Sequence, residues 1–233
     1  MLNTLTLLSK LIRYNLKIIF AGRFFWFLLA ALGFYIFFMV VSVFDNVEVD
    51  YSLIYELTFF PALLLIFYPV VFGIQRDEDA RMLEILFGIP DYRYKVWLIR
   101  IVLIFVQIFL LLIIFAAIGS YLLYPIDSVL VAAQLLFPVC FLGSLSFLLS
   151  TWIKNGNATA VVMVLIGMAL TIFSEILEDT LWDIFLNPFD TPRGFSQVAW
   201  QQIVWKNRVF LCVGTIVFIL GALLNLQKRE RYI

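Results

Sequence analysis

The sequence predicts an all-α polytopic membrane protein with six transmembrane helices, and three observations carry that prediction. Apolar residues make up 64% of the 233 positions and charged residues only 14%, where a soluble domain runs near half and a quarter. The mean hydropathy is +1.04, more apolar surface than a soluble fold of this size can keep from water. Six separate runs also approach the roughly 20 apolar residues that one crossing of the hydrocarbon core requires.

The whole chain, 1–233, reads as one transmembrane domain. Residues 1–23 carry Leu5, Leu8, Ile12 and Leu16 near helical spacing, with Lys10, Arg13 and Lys17 largely off that stripe. This pattern predicts an interfacial helix whose basic side meets anionic headgroups. No short apolar core leads to a small-residue cleavage site, so the segment is expected to be retained. The spans follow at about Phe24–Phe44, Leu57–Ile74, Val96–Leu123, Val129–Ile153, Ala158–Phe173 and Val209–Leu226. Pro61 and Pro69 fall inside span two. Neighbouring helices in a bundle can satisfy the carbonyls they free, so they mark either a kink or a bend lining a pathway.

Two loops carry structure of their own. In Gln75–Lys95, the acids Asp77, Glu78 and Asp79 stand where a helix start favours negative charge, and Met82, Leu83, Leu86 and Phe87 form an apolar stripe. Gly88 and Pro90 end it, which predicts a short amphipathic helix over 76–88. Such a helix can rest on the membrane or press into a groove of a partner. In the 174–208 loop, Leu177, Leu181, Ile184 and Phe185 repeat at helical spacing before Asn187-Pro188 breaks the pattern. Short helices dipping into the interface are expected here, with Trp200 and Trp205 as headgroup anchors. Leu181, Phe185, Pro188 and Trp200 are the candidate gate residues of that loop, ordinary interfacial anchoring being the alternative.

Lys and Arg in short loops set orientation. Thirteen of the sixteen basic residues fall on the side of the two termini, against three (Arg193, Lys206, Arg208) on the other. Ten of the sixteen acids fall on the side with fewer basic residues. The expectation is a chain integral to a prokaryotic inner or cell membrane, with both termini cytoplasmic and an acidic outer face.

Several chemistries have no foothold. The chain has no histidine, the commonest general base and metal ligand. It has no G-x-x-x-x-G-K-[ST] stretch to cradle ATP phosphates. Ionisable residues are missing from the span centres, which argues against a proton-coupled carrier. Gln107 in span three is the polar exception, expected to make an interhelical hydrogen bond. Cys140 and Cys212 lie in apolar runs and read as small buried hydrophobes. No catalytic residue, metal or cofactor is assigned to this chain, and no nucleic acid is expected among its partners.

Glu78, Leu83-Glu84, Leu86 and Pro90 between spans two and three, followed by Arg100, resemble the ABC-2 family of transporter permeases. Arg81 and Met82 stand where that family commonly has Gly-Thr. Asn187-Pro188-Phe189 and Trp205-Lys206-Asn207-Arg208 before the last span are a second point of likeness. The resemblance implies a coupling helix over 76–88, outer re-entrant helices before span six, and pairing with a second permease copy or paralogue. It also implies two cytoplasmic ABC ATPase subunits that bind ATP and Mg themselves, docked at Glu78, Arg81, Leu83, Glu84, Leu86 and Phe87. The function it implies is export of an amphipathic or apolar substrate (a peptide, antibiotic or lipid), the chain itself not being an enzyme. Two other readings share the topology: a non-transporting sensor or scaffold, and a lipid-modifying enzyme built on Glu175, Glu178, Asp179 and Asp183. The spacing of those four acids also fits the solvated side of an amphipathic helix.

Overall fold

The computed structural model describes residues 24–45, 47–73, 75, 93–153 and 155–226. The expected interfacial segment 1–23 and coupling helix 76–88, with all six docking residues, lie outside the described residues. Six described helices are long and apolar enough to cross a membrane, which marks an integral membrane protein. They are α1 (Phe24–Phe44), α2 (Tyr51–Val71), α3 (Ile99–Leu122), α4 (Ser128–Ile153), α5 (Gly156–Leu177) and α6 (Gln197–Asn225). A π-helical turn, Arg93–Leu98, leads into α3.

The helix starts are written into the loops. Asp50 accepts the Leu53 N–H at 2.9 Å to open α2, and Asp127 accepts Val129 and Leu130 N–H at 3.0 and 3.1 Å to open α4. Asn155 caps α5 through Asn157 and Ala158 N–H, and Ser196 caps α6 through Ala199 N–H. Each cap satisfies donors that the first turn leaves free. Short connections make sequential neighbours antiparallel. The loops 45–50, 123–127 and 178–196 therefore meet at one end, called the acidic end for its carboxylates. There the Tyr51 hydroxyl accepts the Asp127 N–H at 3.1 Å, and its ring lies 5.4 Å from Phe189. At the opposite, basic end Gln75 Oε1 accepts the Gly156 N–H at 2.6 Å.

α4 is the hub, packed against α2, α3, α5 and α6. Two glycines permit the close approach: a Cβ on Gly143 would collide with Ile66 of α2, and one on Gly214 with Phe141 of α4. Small residues at such contacts let helices gain packing where lipid removes the hydrophobic drive to associate. Asn225 ties α6 to α4 at the basic end, donating to the Thr151 carbonyl and hydroxyl at 2.8 and 3.1 Å. α5 is held far less. Its buried residues are Gly156, Thr159 and Met163, all in its first third.

Three expectations need correction. Span six begins at Gln197 and not Val209, so Trp200, Trp205, Asn207 and Arg208 stand on a helix; Gln201, Gln202, Lys206, Asn207 and Arg208 lower hydropathy without breaking helical geometry. α5 runs on to Leu177. Residues 178–196 then fold as turns and extended chain, without the helices expected there. Asp179 adopts φ 61°, which halts a helix, and Pro188 and Pro192 keep it from resuming. Pro61 and Pro69 sit within an unbroken α2.

Candidate functional site

Two features occupy the acidic half of the bundle: a polar knot that fastens the 178–196 segment down, and an apolar cleft beside it.

The knot is centred on Arg208, which is only 3% exposed. Its Nε donates to Gln134 Oε1 of α4 at 2.9 Å, and Nη1 to Asn207 Oδ1 at 2.7 Å. Nη2 reaches the Leu186 carbonyl at 3.3 Å and the Tyr55 hydroxyl of α2 at 3.5 Å. The guanidinium also stands 5.8 Å from the Phe137 ring centroid, within cation–π range. All the hydrogen-bond acceptors are neutral. A rigid fork of five N–H donors suits such a site better than an ammonium would. Arg208 thus joins α2, α4, α6 and the 178–196 segment at one point.

Two asparagines complete the fastening. Asn207 Nδ2 donates to the carbonyls of Leu181 and Asp183 at 3.0 and 2.7 Å. Asn187 Nδ2 donates to Ser52 Oγ at 2.8 Å and Glu56 Oε1 at 3.1 Å on α2. Backbone that lacks regular structure is tolerated near a membrane only where such partners exist. Asp183 accepts the Phe185 N–H at 2.9 Å. Burial pushes its carboxyl above the usual aspartate range; Phe185 and Arg208 oppose that rise, while Glu178 and Asp179 add to it.

The cleft lies between α2, α4 and α5, with a volume of about 580 Å³. Phe59, Phe60 and Leu63 of α2 face Met163, Gly167 and Thr171 of α5 across it, and Phe185 closes the acidic end. Phe185 packs edge-on to Phe59 at 5.6 Å. The cleft exists because α5 is anchored by its first third alone.

Of the gate residues expected from the sequence, Leu181, Phe185 and Pro188 share the fastened segment and are half-buried. Trp200 instead stands buried on α6, with its Nε1 unpartnered among the described residues. Asp183 is buried rather than on a solvated helix face; Glu175 and Glu178 are exposed. Among the described residues, no three acids or thiols form a group able to hold a metal ion. Gln107 does not make the expected bond: its buried Nε2 has no partner among the described residues. Sequence reading counted Arg208 as an outer basic residue and a point of family likeness but not as a knot, and gave no role to Gln134, Tyr55, Ser52 or Asn187's side chain. The available signal was Asn207-Arg208 running straight into an apolar stretch, a position where a charge must find partners. Comparison with family models, with curated proteins and with solved structures finds no match for this chain.

Proposed function

We propose that this chain is the membrane subunit of an ATP-driven exporter of the ABC-2 type, working with two ATPase subunits and a second permease copy or paralogue. The observation that carries the reading is the cleft between α2 and α5, apolar, about 580 Å³, and closed at one end by the fastened 178–196 segment. A pathway for an amphipathic or apolar substrate needs an apolar site within the span and a closure that can be released. The weakly held α5 supplies a movable wall. The fastened segment, with Leu181, Phe185 and Pro188, supplies the closure. The residues Glu78 to Pro90, between spans two and three, supply the family likeness.

On this reading the basic end is cytoplasmic, and the ATPase docks at Glu78, Arg81, Leu83, Glu84, Leu86 and Phe87. ATP and Mg bind on the partner. Closure of the ATPase pair pushes on the 76–88 segment and, through α2 and α3, reorients the cleft walls.

The test is recovery of the tagged chain from its native membrane in mild detergent. A stoichiometric soluble partner with a phosphate-binding glycine loop is expected, lost from the Glu84→Lys and Leu86→Asp variants. Recovery of the folded chain alone, reproducibly, overturns the exporter reading and favours a scaffold or a lipid-modifying enzyme.

A further inference from the structure

The cleft has a chemical polarity along its length. Its walls are mainly aromatic, aliphatic and thioether side chains, with the hydroxyls of Ser146, Thr171 and Ser174 among them. Its lining carries no charge, and four carboxylates stand just beyond its acidic end. Glu56 stands one turn before Phe59 and Phe60 on the same side of α2. Its Oε1 is held at 3.1 Å by Asn187. Glu178 lies one turn beyond Ser174, a lining residue of α5. The Asp183 carboxylate is bonded to the backbone of Phe185, which lines the cleft. Glu178 and Asp179 lie close enough to Asp183 to add to the rise of its carboxyl. The buried cation beside them, Arg208, gives its hydrogen bonds to neutral acceptors and offsets only part of that negative charge, at Asp183.

We infer that the cleft takes a cationic amphiphile, its apolar body between α2 and α5 and its positive head toward Glu56, Glu178, Asp179 and Asp183. Charge complementarity selects this occupant. An anionic amphiphile of the same shape meets four carboxylates at the head position, and a neutral one gains nothing from them. Phe59, Phe60 and Phe185 add ring faces that attract a cation, more strongly where water is excluded. As the identity of a cargo, this rests on the exporter reading above; as a binding site, it does not.

The test uses the purified full chain in phosphatidylcholine nanodiscs, without an ATPase. The probe is radiolabelled tetraphenylphosphonium, with binding to empty nanodiscs subtracted. Saturable binding to the wild-type chain is expected. Gly167→Trp and Thr171→Trp each fill the cleft and are expected to abolish it. A Cβ at Gly167 meets nothing within 4 Å, and Thr171 is exposed, so both variants should keep the wild-type melting temperature. Glu56→Gln combined with Glu178→Gln should weaken the cation about tenfold, the effect of one or two partly screened carboxylates. Neutral triphenylphosphine should compete equally with wild type and this double variant. Absence of saturable binding, binding indifferent to both tryptophans, or neutralisation without effect overturns the proposal. A recovered ATPase partner with no cation site leaves the exporter reading standing, and a cation site without a partner does the reverse.

Discussion

Arg208 shows how one side chain can hold several elements together. Placing an arginine at membrane depth costs roughly 2.5–3.5 kcal/mol on insertion scales, and each hydrogen bond to a charged group returns about 1.5–3 kcal/mol. Its bonds to Gln134, Asn207 and the Leu186 carbonyl therefore make it net stabilising while all are kept. Arg208→Met takes this donor from the Gln134 and Asn207 amide oxygens, at about 1–3 kcal/mol each, and leaves the Leu186 carbonyl with the Tyr55 hydroxyl at 3.4 Å. The expected result is a clearly lower melting temperature and new protease cleavage within 178–196. Arg208→Lys should fall between, since one ammonium cannot span acceptors on three elements. Equal melting and cleavage for wild type and Arg208→Met would show the knot to be incidental. Asp183 gives a pH signature. Its folded carboxyl is raised by burial, so the folded state holds a proton that the unfolded chain has lost. Stability therefore falls as pH rises from the ordinary aspartate range through the raised folded value, and is flat above it. Asp183→Asn keeps an oxygen for the Phe185 N–H and has no charge to bury. Melting curves across that window should show a smaller pH dependence and no loss of stability at neutral pH.

Among the helices, attachment is unequal in a way that sequence shows only in part. α4 is locked to α2 at Gly143, and to α6 at Gly214 and through the Asn225–Thr151 bonds. Gly143→Leu should lower stability by about 1–3 kcal/mol through overpacking against Ile66. Asn225→Ala should cost about 0.6 to 1.7 kcal/mol, the range for interhelical bonds in lipid. Both are read by thermal melting in detergent; wild-type stability in both would mean that α4 is held to α2 and α6 by other contacts. Gly167→Leu, on the acidic half of α5, where a Cβ meets nothing within 4 Å, should change little. Hydropathy located all six spans because lipid exposure demands an unbroken apolar run, and Phe24–Phe44 falls where it was expected. It misplaced the start of α6 because Gln201, Gln202, Lys206, Asn207 and Arg208 read as loop; of these, Asn207 and Arg208 serve the knot. The 178–196 segment carried a helical apolar period, but Asp179 at positive φ and the Asn207 bonds to Leu181 and Asp183 carbonyls override it. Phe185 and Pro188 were legible as candidates at this end; the cleft was not, because it arises from how α5 leans and no local pattern encodes that.

For the whole molecule, the governing asymmetry is charge. The loop assignment read from the sequence predicts seven excess positive charges on the side of the termini and seven excess negative charges on the other, although the net charge is zero. The cationic-cargo proposal and the exporter proposal depend on this polarity in the same direction. A cation drawn to the acidic end is drawn toward the face where it must leave, if the basic end is cytoplasmic as loop Lys and Arg dictate. The orientation is open to direct measurement. Thr191 is exposed at the acidic end and Asn157 at the basic end. Cys140 and Cys212 lie within α4 and α6, out of reach of a membrane-impermeant reagent. In intact cells, an impermeant maleimide should label Thr191→Cys at once and Asn157→Cys only after permeabilisation. The reverse pattern would put the acidic end inside, turn the carboxylates beyond the cleft toward the cytoplasm, and make the same charges a device for capture rather than release.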